Sequence, residues 1–319
     1  MTAKGAVGLL IRAMSIELES IAFHEGQYRP LRECNVNIST HALQYGTMVF
    51  GGMRGYFNAE HGRLYIFRLR DHLERLTKSA RIMQMKPPLS VEEMQEVAIE
   101  LARRNQARQN IYFRPFIYKS ALQLSPRLHD VQDSFAMYVI PLDDYLDTTR
   151  GLRVAVSSWR RIDENIIPTR AKASGGYINS ALAKSEAVQN GNDEAIFLDM
   201  RGFVSEGSAE NLFLVRDGVL ITPHVASAVL EGITRRTIIE LARARNIPVA
   251  ERDVARSELY IADELFLCGT GAQVAWVAEV DRRVVGNGEM GPITQKLRAD
   301  FLSIVRGTNP EFQHWLTGI

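Results

Sequence analysis

Short apolar or alternating runs recur in both halves of the chain, and helical patterns lie between them. Residues 112–118 and 135–140 are rich in aromatic and branched side chains, which favour strands. Residues 152–157 alternate as a half-buried strand does, and residues 265–268 are apolar throughout, as in a buried strand. Strands clustered in each half with helices between them predict a mixed α and β architecture. With 319 residues the chain is long enough for two domains.

Several helices carry recognisable ends. Asp71 is predicted to cap a helix that has one apolar face. The residues of that face are Leu73, Leu76, Ala80 and Met83. Ser90 and Glu93 form a capping-box pattern ahead of a second helix. Later helices are predicted over residues 177–189, from near Thr234, and from Pro292 to a stop at Gly307.

Residues 141–147 are polar and turn-like, and we interpret them as a linker between two domains. The resulting division is a small N-terminal domain over residues 1–140, an interdomain loop over 141–150 and a large domain over 151–319. Met14 precedes the first strand pattern by only a few residues. We therefore expect residues 1–13 to be dispensable, either as an extension or as a misassigned start.

Composition excludes several classes of function. Lysine and arginine number 38 against 37 aspartate and glutamate, so no overall field favours nucleic acid or anionic membrane. No stretch reaches the length of a membrane span. Cys34 and Cys268 cannot form a disulfide framework and match no zinc pattern, so we expect no metal site and a reducing, cytoplasmic location.

Lys172 lies among small residues, within the run Thr-Arg-Ala-Lys-Ala-Ser-Gly-Gly-Tyr that ends at Tyr177. Small neighbours let a planar cofactor approach the backbone, and a partly dry pocket favours the neutral amine. A neutral lysine amine can attack an aldehyde to form a Schiff base. Taken alone, the pattern fits a surface lysine in a glycine-containing loop better.

Further candidates together match the needs of a pyridoxal phosphate site. Glu206 could face a pyridine nitrogen, Tyr177 could contact the ring hydroxyl, and residues 232–234 and 269–271 could bind phosphate. Each candidate also has a structural interpretation. Glu206 could cap a turn, Thr234 could be a simple N-cap, and residues 269–271 could be a plain turn.

Ordered motifs add to these single signals. Ala-Lys-Ala surrounds Lys172, Gly-Gly-Tyr ends at Tyr177, Ser-Glu-Gly surrounds Glu206, Glu-Asn-Leu-Phe starts at Glu210 and Gly-Ile-Thr-Arg starts at Gly232. These motifs resemble those of class IV, or fold type IV, pyridoxal phosphate-dependent aminotransferases. Among these, the chain is most similar to bacterial branched-chain amino acid aminotransferases. The resemblance implies a two-domain fold, with a small α/β domain and a larger cofactor-binding domain that contains a pseudo-barrel of strands.

The resemblance also implies roles for individual residues. Lys172 would be the catalytic Schiff-base lysine and proton carrier, Glu206 would pair with the pyridine nitrogen, and Tyr177 would hold the ring hydroxyl. The implied cofactor-binding residues are Arg75, Lys172, Tyr177, Glu206, Leu230, Ile233, Thr234 and Thr270. By its sequence pattern alone, Arg75 could equally be a solvated helix arginine.

The substrate would lie against residues of both halves. The implied substrate-binding residues are Tyr45, Phe50, Arg54, Tyr112, Arg114, Tyr145, Thr270 and Gly271. Arg114 would take the distal carboxylate of glutamate or 2-oxoglutarate, which suits an arginine fork. The resemblance further implies a homodimer, in which a loop of one subunit reaches the site of the other.

The predicted function is transfer of amino groups between leucine, isoleucine or valine and 2-oxoglutarate. The alternatives are a D-amino acid or (R)-amine transaminase of the same fold and, with less support, an aminodeoxychorismate lyase. Three departures from the family pattern affect the surroundings of the pocket and leave the substrate range open. They are Gly51 in the Val-Phe-Gly-Gly motif, the loop over residues 122–126, and Ala209.

Overall fold

The computed structural model describes residues 16–142 and 150–319. The predictions for residues 1–13, for Tyr145 and for most of the interdomain loop lie outside the described residues. Within these ranges the chain forms two sheets with helices packed against them, and one sheet curls into a half-barrel. The predicted mixed α/β architecture is confirmed.

The first sheet contains the early strands of the chain and its last strand. Its strands are β1 Ile21–His24, β2 Gln27–Pro30, β3 Met48–Phe50, β4 Met53–Asn58, β5 Arg63–Phe67, β6 Ile111–Lys119, β7 Asp133–Pro141 and β17 Leu316–Gly318. The order is β17-β5-β4-β6-β7-β1-β2, with β3 paired to β6, and every pairing is antiparallel. The last strand of the chain therefore belongs to the first sheet. The proposed division at residues 141–150 stays a prediction.

Three helices belong to the first half: α1 His41–Tyr45, α2 Leu69–Ile82 and α3 Val91–Arg104. The apolar faces of α2 and α3 share one core with the first sheet. This core includes Leu73, Leu76, Met94 and Leu101 from the helices and Phe113 from β6. Lys172 follows a segment that packs on the same core, so α2 and the first sheet form one wall of the site described below.

The second sheet forms from the remaining strands. These are β8 Leu152–Arg160, β9 Glu194–Leu198, β10 Val204–Gly207, β11 Asn211–Arg216, β12 Val219–Pro223, β13 Val249–Arg252, β14 Glu264–Gly269, β15 Gln273–Val280 and β16 Arg283–Val284. Their order is β10-β9-β8-β15-β14-β11-β12-β13, with β16 paired to β15. The strand pairs β8–β9, β8–β15 and β12–β13 are parallel, and the other pairs are antiparallel.

Three further helices are α4 Tyr177–Gln189, α5 Ile233–Ala244 and α6 Pro292–Val305. The core between α5, α6 and the second sheet includes Phe213 and Phe266, whose rings stack at 5.1 Å. Tyr56 and Phe67 of the first sheet join this core. The two sheets thus share buried contacts. In the described residues, no helix is both long and apolar enough to cross a membrane.

Most of the predicted helix and turn signals are present. Ser90 is the N-cap of α3, and its side chain and that of Glu93 each accept a backbone N–H of the other residue. Pro292 is the first residue of α6, and Gly307 follows its end with a φ of 74°. Residues 217 and 218 both have positive φ and join β11 to β12 as the predicted hairpin.

The predicted cap at Asp71 is wrong. α2 begins at Leu69, and its N-cap is Arg68, which has a left-handed φ of 46°. Asp71 lies inside the first turn and accepts hydrogen bonds from Arg68 at 3.3 Å and Arg236 at 2.7 Å. Arg68 is held by tertiary contacts, an ion pair with Glu240 and a guanidinium 3.9 Å from the Trp315 ring centroid. Long-range contacts therefore set this helix start.

Candidate active site

A cavity of about 470 Å³ lies where the two sheets meet. It brings together most of the site residues predicted from the sequence. Those that line it are Phe50, Arg75, Tyr112, Arg114, Lys172, Tyr177, Glu206, Leu230, Ile233, Thr234, Thr270 and Gly271. These side chains come from both halves of the chain, so folding assembles the site from residues distant in sequence.

The backbone around Lys172 is fixed between β3 and α2. Phe50 N–H donates to the Lys172 carbonyl at 3.0 Å, and Lys172 N–H donates to Ser79 Oγ at 3.2 Å. Gly175 passes so close to Gly46 that a Cβ atom at Gly46 would lie 3.0 Å from the Gly175 Cα. Gly46 also has a φ of 66°, which favours glycine. The small residues around Lys172 therefore serve this close backbone approach.

The Lys172 amine is buried in the cavity. Its Nζ atom donates a hydrogen bond to Tyr177 Oη and lies 5.2 Å from the Phe50 ring centroid. Burial, assisted by the positive charges of Arg75 and Arg114, lowers the pKa of Lys172 to about 7. A substantial fraction of the amine is therefore uncharged at neutral pH and able to act as a nucleophile or a base.

Glu206 lies within β10, where the sequence had suggested a turn between strands. Its carboxylate accepts hydrogen bonds from three groups. These are Arg161 Nη2 at 2.8 Å, Asn211 Nδ2 at 3.0 Å and the Leu230 backbone N–H at 3.0 Å. Burial raises the pKa of Glu206 above its ordinary value, and Arg161 and the Leu230 N–H oppose that rise.

An anion-binding end lies opposite this carboxylate. Arg75 of α2 faces the cavity, and its Nη1 atom donates to the Glu231 carbonyl at 3.4 Å. α5 begins with Ile233 and Thr234, after Gly232 as N-cap, so the positive end of its helix dipole meets the same cavity. A Cβ atom at Gly232 would lie 2.0 Å from Asn211 Oδ1, so this position requires glycine.

These groups fit pyridoxal phosphate. The cavity offers a poorly protonated amine for the aldehyde, a phenol hydroxyl at Tyr177, a held carboxylate at Glu206 for a pyridinium nitrogen, and Arg75 with a helix N-terminus for phosphate. Leu230 lines the cavity beside Glu206, as expected for an apolar contact with a ring. The individual roles stay predictions.

The remaining wall combines aromatic rings with a guanidinium. The Arg114 Cζ atom lies 4.7 Å from the Phe50 ring centroid and 5.2 Å from that of Tyr112. Among the described residues, the buried Arg114 Nε atom has no hydrogen-bond partner. A Cβ atom at Gly52 would lie 2.0 Å from Tyr112 Oη, so the Tyr112 hydroxyl occupies space that only glycine leaves open.

Two predicted substrate residues do not line this cavity. Arg54 is buried behind it, and its guanidinium donates to the carbonyls of Gly271 at 3.3 Å and Leu142 at 3.1 Å. Tyr45 ends α1, is 38% exposed, and its ring centroid lies 4.8 Å from that of His41. Arg54 thus supports the backbone of a lining residue, while Tyr45 lies on the surface of this chain.

Sequence reasoning missed three partners of the central residues: Arg161, Asn211 and Ser79. Asn211 belongs to the Glu-Asn-Leu-Phe motif, so that motif could have indicated it. Arg161 follows β8 and carries no local signal, although a buried carboxylate requires a cationic or hydrogen-bonding partner. Ser79 is buried within the predicted α2, and its hydroxyl accepts a hydrogen bond from the Lys172 backbone N–H.

A second buried polar cluster reaches the cavity. Lys184 lines it, and its Nζ atom donates to Glu194 Oε2 and to the Asp193 carbonyl, both at 2.6 Å. Glu210 also lines the cavity, and burial, reinforced by the charge of Glu194, raises the pKa of Glu210. Lys184 is therefore a second lysine beside the cavity, but it has a carboxylate partner that favours its charged form.

Known proteins match the chain over most of its length. Residues 48–280 match the model of the family described as amino-transferase class IV. The probable branched-chain-amino-acid aminotransferase of Aquifex aeolicus is 46% identical over 299 residues, which is 93% of this chain and 96% of that protein.

Two solved structures are also similar. The branched-chain aminotransferase of Thermoproteus uzoniensis with norvaline has a TM-score of 0.90 and 42% identity, covering 93% of this chain and 98% of that one. The T.th. branched-chain amino acid aminotransferase, complexed with N-(5'-phosphopyridoxyl)-L-glutamate, has a TM-score of 0.89 and 39% identity, covering 94% and 98%. Class IV aminotransferases are enzymes that use pyridoxal 5'-phosphate. By both its sequence and its fold, the chain belongs to the class IV aminotransferases.

Proposed function

We propose that the protein is a branched-chain amino acid aminotransferase, which transfers amino groups from L-leucine, L-isoleucine and L-valine to 2-oxoglutarate. One observation carries the proposal: the cavity wall near Lys172 offers apolar surface and a guanidinium at the same place. Phe50 and Tyr112 supply the aromatic surface, and Arg114 stacks between them with a buried Nε atom that lacks a described partner. Such a wall suits both an aliphatic and an acidic side chain.

Bound pyridoxal phosphate supplies an electron-accepting ring conjugated to the substrate. In the proposed mechanism, the Lys172 Nζ atom takes the proton from the substrate α-carbon and later returns it, since its pKa of about 7 suits both directions. Tyr177 Oη, which accepts a hydrogen bond from that amine, would orient it. Glu206 would hold the ring nitrogen protonated, and Arg161 would fix that carboxylate.

Arg114 would account for the second substrate. A guanidinium can pair with the distal carboxylate of glutamate or 2-oxoglutarate, while the rings of Phe50 and Tyr112 contact an aliphatic chain. The solved relatives support this interpretation. The Thermoproteus uzoniensis enzyme was crystallised with norvaline, and the T.th. enzyme with a phosphopyridoxyl derivative of L-glutamate.

We also propose that the protein is a homodimer. Large apolar side chains are exposed around α1 and the chain after β6, which are joined by the Thr40–Leu122 bridge. The most exposed are Ile38 at 81%, Leu43 at 61%, Leu122 at 62% and Leu124 at 78%. A second subunit covering this surface would bury them, and it would give Tyr45 the substrate contact that it lacks within one chain. The cytoplasmic location and the two-domain division remain part of the proposal.

Half-reactions of the holoenzyme test the substrate assignment. The holoenzyme is mixed with one amino donor at a time, and the cofactor absorbance reports amino-group transfer. L-Leucine, L-isoleucine, L-valine and L-glutamate should react fastest. Faster reaction with D-amino acids or with (R)-amines that lack a carboxylate would contradict the proposal and favour the alternative transaminases.

A further inference from the structure

An exposed ion pair joins two segments that meet at the cavity. Arg170 Nε donates to Glu231 Oε1 at 2.9 Å, and the two side chains are 43% and 56% exposed. We call Arg170 and Glu231 the rim pair. The second charged partner of Arg170 is Glu164, whose Oε1 atom lies 3.5 Å from Arg170 Nη1.

The rim pair lies just outside the cavity lining. Thr169 and Ala171, which flank Arg170, both line the cavity, as do Leu230 and Gly232, which flank Glu231. One segment leads directly to Lys172 and the other leads into α5. The ion pair therefore connects, on the solvent side, the two chain segments that enclose the cofactor-binding space between them.

The rim pair also connects to the anion-binding end. The Glu231 carbonyl accepts the hydrogen bond from Arg75 Nη1, while the Glu231 carboxylate binds Arg170. Two residues later, Ile233 begins α5. Holding Glu231 thus holds both Arg75 and the start of α5, which are the two groups assigned to the phosphate. Glu164 anchors the other side, since its Oε2 atom accepts from Thr169 N at 2.8 Å and from Thr169 Oγ1 at 2.6 Å.

We propose that the Arg170–Glu231 rim pair is a clamp that positions Arg75 and the N-terminus of α5, and so slows release of the cofactor from its phosphate end. The clamp rests on the proposed assignment of these groups to the phosphate. It contacts neither the reacting atoms nor the substrate, so Arg170 and Glu231 are positioning residues. Their effect belongs to retention of the cofactor and not to substrate choice.

Cofactor release tests the clamp. Release from wild type, Arg170→Gln, Glu231→Gln and the double variant is followed by absorbance after dilution into an excess of a cofactor-scavenging apoenzyme. Each single variant should release pyridoxal phosphate about two- to fivefold faster, as expected when an exposed ion pair is lost. The double variant should be no faster than the faster single variant, because the two side chains act as one pair. Half-molar NaCl should bring wild type towards the variants.

Two controls separate a clamp from general loosening. Pyridoxal lacks the phosphate, so its release should be unchanged in the variants. Glu100→Gln breaks a comparably exposed pair with Arg104 on α3, away from the cavity, and should leave both release rates unchanged.

Several results would overturn the clamp. These are equal release of pyridoxal phosphate from wild type and variants, slower release from Glu231→Gln, which would mean that this carboxylate only repels the anion, and equal acceleration for pyridoxal. The measurement uses no amino acid, so a wrong substrate assignment leaves it unaffected. A wild-type protein that binds pyridoxal as tightly as pyridoxal phosphate would contradict the phosphate assignment and the clamp together.

Discussion

Replacing Arg161 by glutamine tests the electrostatics beneath the cavity. Arg161 and Glu206 form an ion pair at 2.8 Å, with side chains only 10% and 6% exposed. Removing one partner of a buried pair leaves an uncompensated charge and destabilises a protein by about 3–5 kcal/mol. Asn211 and the Leu230 N–H still bind the carboxylate in the variant. We therefore expect a loss near the lower end, about 3 kcal/mol in the free energy of unfolding at pH 8.

The loss should depend on pH. Burial raises the folded-state pKa of Glu206, and Arg161 opposes that rise, so the variant has a still higher folded-state pKa. A carboxyl with a raised folded-state pKa contributes stability below its unfolded pKa and loses that contribution as the pH rises through the folded-state value. The difference between wild type and Arg161→Gln should therefore be small near pH 4.5 and grow towards pH 8.

Urea unfolding of the cofactor-free proteins at several pH values measures this difference. Arg161→Lys is the matched control, because it keeps the charge and should retain part of the stability. A difference that stays constant between pH 5 and pH 8 would show that Arg161 acts through packing alone. An unchanged stability at pH 8 would refute the reasoning about a buried charge.

Three other perturbations test the walls of the cavity. Arg114→Ala should slow the glutamate half-reaction about 10- to 100-fold more than the leucine half-reaction, because a charge-assisted hydrogen bond contributes about 1.5–3 kcal/mol; equal losses would remove Arg114 from substrate choice. Gly52→Ala should raise KM for all amino acids, since its Cβ atom would lie 2.0 Å from Tyr112 Oη, and Tyr112→Phe in the same protein should relieve the clash; no relief would show that the hydroxyl is not the obstacle. Acylation of Lys172 in the cofactor-free protein should be half-maximal near pH 7, as its lowered pKa requires, and a midpoint near pH 10 would contradict its burial.

Local signals in the sequence predicted local structure well. The Ser90–Glu93 capping box, Pro292 at the start of α6 and the Asp217-Gly218 turn each depend on contacts within a few residues. The start of α2 was misplaced because Arg68 is fixed by Glu240 and Trp315, which are far away in sequence. No pattern near Asp71 carries that information.

The site divides in the same way. Lys172, Tyr177 and Glu206 were identified through short motifs, and the fold brings them to one cavity. Arg161 was not identified, because its pairing with Glu206 depends on how β8 approaches β10 and not on spacing along the chain. Tyr45 could not be placed in a substrate pocket from one chain, since the surface on which it lies is exposed.

The most direct test of the account is the location of the cofactor on the chain. The holoenzyme is reduced with borohydride, digested and analysed by mass spectrometry, so that a covalently held cofactor remains on its peptide. The account predicts that the added mass lies on Lys172, whose amine is buried and has a lowered pKa of about 7. Cofactor mass on Lys184, the other lysine that lines the cavity, or on no lysine, would contradict it.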